Sequence, residues 1–282
     1  MSGQRSIAGG SVGSLSEKQV VGLRDAAQAV VKTHHALAEF LRVGMKLPEI
    51  DRFVSETLAS MGAKSCFYRY RVPGAPPFPS HACLSVNECV VHGTAGFYRE
   101  ALKPGDVLKI DIGVKLRGWI GDAAWTYVFG EPSDEVARLS ACGKESLARG
   151  IAALRPGGLL IEWARAVHGY VEDECGFAMI RGLGGHGYGR RLHHPPYVSN
   201  VVPRHPTEWP DAHVKLVPGM TLALEPMIAI GSPHVAAHPS GWPLLVDDGS
   251  QSVHYEHDVL ITEDGREVLT AGLEDVMDVI ER

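Results

Sequence analysis

From Ser16 to Leu41 apolar residues recur three or four positions apart, at Val20, Leu23, Ala27, Val30, Val31, Ala38 and Leu41. That spacing gathers them on one stripe of an α-helix, and Ser16 is suited to cap its N-terminus. A second helix is predicted from Pro48, which a first turn tolerates, to Met61, with Gly62 as its stop. The period then changes. CLSVNECVVH, from Cys83 to His92, is β-rich, and a PGD turn at 104–106 leads into VLKIDIGV, a KLRG turn and WIGDAAWTYVFG, the pattern of a hairpin. Helical patterning returns at Asp134–Ala153 and Leu159–Cys175, followed by a loop GLGGHGYG and a proline-containing loop to Pro218. Strands close the chain: MTLALEPMIAI, then HYEHDVLITEDGREVLT folding back around EDG.

Two helices then strands, followed by two more helices then strands, predict an α+β fold with a duplicated plan and no visible sequence identity between the halves. Residues 15–282 contain no low-complexity linker and are expected to form a single domain. The polar, glycine-rich residues 1–14 read as a loose arm.

Composition narrows the partners. With 282 residues, 45% of them hydrophobic, the chain can bury a substantial core. Its 27 basic and 33 acidic residues give a net charge of -6 and no basic run interleaved with aromatics, which argues against nucleic acid. Cys66, Cys83, Cys89, Cys142 and Cys175 form an odd set without CxxC spacing. That argues against a disulfide framework and a structural zinc cluster and fits a reducing cytosol. No stretch approaches the roughly 18 apolar residues of a membrane span, and no apolar signal-peptide core is present, so no membrane partner is expected.

Asp111 and Asp122 lie 11 residues apart on the two arms of the hairpin, each in an apolar stretch, LKIDIGV and WIGDAAW. An unpaired buried carboxylate costs several kcal/mol, so a metal, an arginine or a raised pKa must compensate. Either residue alone could face solvent or end its strand; the pair points to chemistry. His186 and His193, seven residues apart in GGHGYGRRLHH, stand among glycines that let backbone crowd an ion, although a lone histidine there could be an ordinary loop residue. Glu225 precedes Pro226 within TLALEPMIAI, where a strand is expected to end or bulge. Glu256 in HYEHDVLIT shares that character, although alternation could turn it to solvent. Four carboxylates and one imidazole suit Mn, Fe, Co or Zn. Two divalent ions about 3.5–4 Å apart would neutralise such a cluster and generate a hydroxide near neutral pH, a basis for metal-assisted hydrolysis.

VNECVVHG, KIDIGV followed by GD, GHGYGRRLH, LEPMI and YEHDVLIT resemble, in order and spacing, the type I methionine aminopeptidases of metallopeptidase family M24, from Ser16 to Thr270. The resemblance implies the pita-bread fold, two pseudo-symmetric halves with antiparallel sheet backed by helices. It implies that Asp111, Asp122, His186, Glu225 and Glu256 hold two divalent ions (Co, Mn, Fe or Zn), with His92 and His193 as catalytic non-ligands. In the roles it implies, a bridging hydroxide attacks the carbonyl after the first residue while the metals polarise that carbonyl. Glu225 takes the proton, His193 stabilises the oxyanion, and His92 holds the scissile amide. The substrate so implied is the N-terminal methionine of nascent polypeptides, ahead of a small second residue, its free amine on one metal.

Matching pocket positions are Phe67, Tyr70, Phe78, Cys83, Leu192 and Trp242, each also compatible with core packing; Leu192 stands where the family commonly has phenylalanine. VPGAPP at 72–77 and the long stretch from Asn200 to Lys215 are expected to reshape the pocket rim. His34, His35, His194, His205, His213, His234 and His238 have no family match and read as surface or packing residues. A cytoplasmic monomer is expected, with the ribosome a candidate docking partner through the domain surface or the arm.

An aminopeptidase P or prolidase is the competing hydrolase. Those enzymes usually carry a large N-terminal domain, and the His186–His193 spacing with GRRLH favours the methionine-specific branch. A non-enzymatic peptide- or ribosome-binding member would have lost ligands, and all five are present. Glu225 follows His193 by only 32 positions, too few for the helical insertion of type II enzymes.

Overall fold

Residues 15–239 and 241–282 are described by a computed structural model; the predicted arm at 1–14 lies outside the described residues. Helix α1 (Glu17–Phe40) and helix α2 (Leu47–Ser60) fall where the periodicity places them. Gln19 Oε1 accepts the Ser16 N–H at 2.8 Å, closing the first turn of α1, whose stripe of Leu23, Ala27, Val30 and Leu37 is buried. Strand β1 (Cys83–Val86) and strand β2 (Cys89–Val91) divide the CLSVNECVVH stretch. The break is Asn87, at φ 52°, whose Oδ1 accepts the Val107 N–H at 2.9 Å.

Strand β3 (Val107–Leu116) and strand β4 (Trp119–Phe129) form the predicted hairpin. Arg117 and Gly118, at φ 49° and 87°, make a tight two-residue turn that matches the right-handed strand twist. The register sets Asp111 opposite Ala124 and Gly113 opposite Asp122, while β1 sets Cys83 opposite Asp111.

Helix α3 (Asp134–Ala153) starts on Ser133, whose Oγ accepts the Val136 N–H at 3.2 Å, and helix α4 (Ile161–His168) runs on into a wider turn at Gly169–Glu174. The second half then corrects the sequence expectation. GLGGHGYG and the stretch after it are not simply loops: they contain strand β5 (Gly184–Gly187) and strand β6 (His194–Ser199). The glycines explain both the strand and its concealment. A Cβ on Gly184 would stand 2.3 Å from Val198 O, one on Gly185 2.0 Å from Ala223 O, and one on Gly187 2.5 Å from Pro195 O. Neighbouring backbone fits against β5 only without side chains, so the stretch carries no β-branched or alternating signal.

Strand β7 (Thr221–Leu224) stops before Glu225 and Pro226, and strand β8 (Met227–Ala229) resumes in a different sheet, as the Glu-Pro pair implied. Strand β9 (Ser252–His254) pairs with β8; strand β10 (His257–Ile261) and strand β11 (Arg266–Val268) form the last hairpin. The second five-stranded sheet therefore runs β11-β10-β7-β5-β6.

Strand β4 is the seam between the halves. Ala124 O accepts the Glu256 N–H at 2.9 Å, and Asp258 Oδ2 accepts the Asp122 N–H at 2.8 Å. The Thr126 hydroxyl donates to His254 O at 2.8 Å and accepts the His254 N–H at 3.0 Å. On the other side α1 packs directly on β4, where a Cβ on Gly121 would lie 2.5 Å from the Ala26 carbonyl carbon. Among the described residues no helix is long and apolar enough to cross a membrane.

Gly121→Ala must push α1 off β4, a backbone clash that no side-chain rotation relieves. The expected cost is about 1–3 kcal/mol, read as a lower urea midpoint of the metal-free protein; an unchanged midpoint would show that the helix yields freely.

Candidate metal centre and active-site cavity

Strands fix the acidic residues before any ligand is considered. Asp111 on β3 and Asp122 on β4 come from adjacent antiparallel strands, Glu225 from the break after β7, and Glu256 from the break after β9. His186 on β5 pairs with Ala223 and reaches the same point from the second sheet. Its Nε2 lies 3.9 Å from both Asp122 Oδ2 and Glu225 Oε1. Donor atoms of Asp122, His186 and Glu256 all lie within 4.8 Å of one another. Asp111 faces the same cavity from the strand paired with that of Asp122.

Packing this charge into an apolar surround is costly, and the protonation equilibria register it. Burial and the neighbouring Glu225 push Asp111 up to about 8. Burial first, and then the like charges around them, hold Asp122, Glu225 and Glu256 well above the usual carboxylate range. Asp111 Oδ1 and Asp122 Oδ1 are sealed from solvent with no hydrogen-bond partner. Oxygen-rich donors, unpaired buried oxygens and mutual repulsion are the setting that divalent cations relieve.

One cavity of about 630 Å³ takes in Asp111, Asp122, His186, Glu225 and Glu256, together with His92, His193 and the expected pocket residues Phe67, Tyr70, Phe78, Cys83, Leu192 and Trp242. The alternatives left open for the acids are thereby decided: Glu256 is 2% exposed and faces the cavity. His92 ends the β2 segment at φ 58°, a left-handed backbone that costs a non-glycine residue energy and turns its ring toward the Trp242 indole, 6.1 Å away at 90°. Gly93 follows because a Cβ there would meet Leu84 O at 2.1 Å. Burial lowers His92 and His186 to about 4, so both are neutral near pH 7.

The apolar wall is ordered by edge-to-face contacts: Phe67 with Phe78 at 6.3 Å and Phe78 with Trp242 at 5.2 Å. Both expected rim segments reach it. Pro76 O accepts the Trp242 Nε1–H at 2.9 Å, so the 72–77 stretch braces that indole. In the 200–215 stretch, buried Trp209 donates to Tyr197 O at 2.9 Å, and Asp211 Oδ2 accepts the Tyr197 N–H at 2.9 Å. Of the histidines read as surface or packing residues, His34 is buried against Tyr127, while exposed His194 borders the cavity mouth.

Two features escaped the sequence. The Tyr70 hydroxyl lies 2.6 Å from His193 Nδ1, so this pocket residue also orients a catalytic candidate. His254, 1% exposed, lines the cavity with Nε2 3.3 Å from Glu225 Oε2. Its signal was present in SVHYEHD: residues two apart on extended chain share a face, so His254 accompanies Glu256.

The model of metallopeptidase family M24 matches residues 18–263. The chain belongs to metallopeptidase family M24. Within M24 its relatives carry the name the motifs suggested. "Methionine aminopeptidase 1" of Bacillus subtilis is 37% identical over 248 residues, 88% of this chain and 94% of the relative. The crystal structure of a methionine aminopeptidase from Thermotoga maritima, 32% identical, superposes with a TM-score of 0.82 over 91% of this chain and 98% of that one. An X-Pro aminopeptidase from the same organism reaches 0.70 at 19% identity, covering 95% of this chain and 63% of that one, a likeness of fold alone. The pita-bread fold of M24, with its two helix-backed halves, is thereby borne out.

The M24 site carries a stability signature. Unfolded carboxylates titrate near pH 4, whereas in the metal-free fold Asp111 holds its proton to about 8 and its three neighbours are raised too. The folded state thus binds protons the unfolded chain has lost, and stability from these groups falls as pH rises. The buried histidines oppose this only below about 6.5. Lys109, lowered by burial to about 7, opposes it by one proton above that pH, equally with and without metal. A divalent ion should therefore raise Tm more at pH 8 than at pH 6.5, and Asp122→Asn should shrink that difference; equal shifts at both pH values would count against ion binding by this cluster.

Proposed function

We propose that this M24 protein removes the initiator methionine from polypeptides whose second residue is small, with two divalent ions held by Asp111, Asp122, His186, Glu225 and Glu256. The observation that carries this is the convergence of all five donors, His92 and His193 on one cavity with an apolar wall. When bound, the ions would bring the pKa of water toward neutrality and polarise the scissile carbonyl. Residues 15–282 act as one catalytic unit. Cytoplasmic location, a monomeric state and docking at the ribosome belong to the same proposal.

The chain's own groups supply the rest. Glu225, raised by burial among like charges, accepts the proton lost by the attacking water and passes it to the leaving amine. In the tautomer of His193 that carries its proton on Nε2, Nδ1 accepts a hydrogen bond from the Tyr70 hydroxyl 2.6 Å away and Nε2–H is free to donate to the developing oxyanion. His92, neutral and turned inward by its backbone, holds the scissile amide. Phe67, Phe78, Cys83, Leu192 and Trp242 enclose an unbranched thioether side chain, and burial keeps the Cys83 thiol protonated and unreactive. The metal preference among Co, Mn, Fe and Zn follows availability as well as donor type.

The decisive assay measures amino-acid release from Met-Ala-Ser and from matched peptides beginning with alanine or with a proline in second place. Expected is methionine release alone, dependent on added Co, Mn or Fe and lost in Asp122→Ala. Proline-directed cleavage would move the protein to the prolidase branch, and no cleavage with any metal would favour a peptide-binding role. His193→Ala should lower kcat about 10²–10³-fold with little change in KM. Tyr70→Phe should lower kcat less, and an equal effect on KM alone would reassign Tyr70 to the pocket.

A further inference from the structure

We propose that His254 is a sixth protein ligand of the metal centre, supplying a second imidazole at the Glu225 oxygen that His186 does not face. The inference rests on the dinuclear reading above and adds to it a residue outside the five-ligand set. His254 is 1% exposed, and its Nε2 is sealed from solvent without a hydrogen-bond partner. An unpaired buried nitrogen that lines the cavity beside the Glu225 and Glu256 carboxylates calls for an occupant. Its donor atom lies within 4.8 Å of oxygens from both Glu225 and Glu256, which form a second candidate cluster with it.

The separation fits a shared ion. Donors about 2.0–2.2 Å from one ion in tetrahedral or octahedral array stand roughly 3.0–3.5 Å apart. His254 Nε2 and Glu225 Oε2 are 3.3 Å apart, yet misaligned for a hydrogen bond. The corresponding His186 distances, 3.9 Å, are wider. Position is also enforced: the Thr126 hydroxyl clamps both the N–H and the carbonyl of His254, and the register sets His254 beside Met227, two residues beyond Glu225. Glu225 thus stands between two imidazoles, Oε1 toward His186 and Oε2 toward His254. A second nitrogen donor favours Co, Fe or Zn over Mn.

The test loads metal-free protein with Co(II) and records hyperfine-shifted proton NMR spectra in H₂O and D₂O for the wild type, His254→Asn and His186→Asn. Two strongly shifted exchangeable imidazole signals are expected in the wild type, one lost in each variant. Calorimetry should show the Co(II)-over-Mn(II) affinity ratio falling about tenfold or more in His254→Asn. A single wild-type signal, lost in His186→Asn and kept in His254→Asn, would overturn the proposal while leaving the metal centre intact. Absence of any shifted imidazole would overturn both. The wild-type count decides even if a variant fails to fold, and His254→Gln offers a bulkier replacement for the same comparison.

Discussion

Four carboxylates held within reach of one another in an apolar cavity set the terms for everything around them. Their repulsion grows as water is excluded, so the metal-free fold tolerates them only by retaining protons, as the raised values of Asp111, Asp122, Glu225 and Glu256 express. Loop-borne acids would swing apart. Here Asp111 and Asp122 are carried by paired strands, Asp111 with a partner strand on both sides, and Glu225 and Glu256 by short breaks between strands, so the repulsion is borne by the sheets. The order that makes the site unfavourable when empty is what prepares it for cations.

The same cavity is mixed in polarity. Buried carboxylates, aromatic rings packed edge to face, and imidazoles all line it. Neutrality at His92 and His186 follows from burial and has a chemical consequence. An imidazolium beside divalent cations would compete with them, whereas a neutral ring offers a lone pair or an N–H without adding charge. The braced indole of Trp242 closes the wall, because Pro76 fixes the one polar atom it carries.

How much was legible in the sequence depended on whether a residue's burden is local. Asp111 and Asp122 stood out because a charge in an apolar strand is anomalous within seven residues of text, and Glu225 because Pro226 cannot continue a central strand. The duplicated α+β plan was legible through helix and strand order, and the pita-bread fold through the resemblance that five motifs carry. Strand β5 was not, since its glycines answer to backbone atoms of Val198, Ala223 and Pro195, which no local pattern contains. His254 was missed for a related reason. Its meaning comes from Glu225, 29 positions earlier, and alternation with Glu256 marks a shared face without marking a partner. Tyr70 was placed in the pocket, but its bond to His193 spans 123 positions and comes from tertiary folding alone.

Strand β4 ties these levels together. Asp122, Ala124 and Thr126 alternate along it, so all three present to one side, and each receives a different segment of the second half: Asp258, Glu256 and His254. The opposite constraint comes from α1, whose backbone touches Gly121. A small tilt of β4 would therefore shift Asp122 relative to Glu256 and His254 together, rather than loosening one ligand at a time. Donor separations near 4 Å leave little tolerance for such movement, because a divalent ion binds its donors at about 2.0–2.2 Å. Packing of a helix remote from the cavity thus enters the geometry of the metal centre through a single strand, and the two halves cannot drift apart without dismantling the site between them.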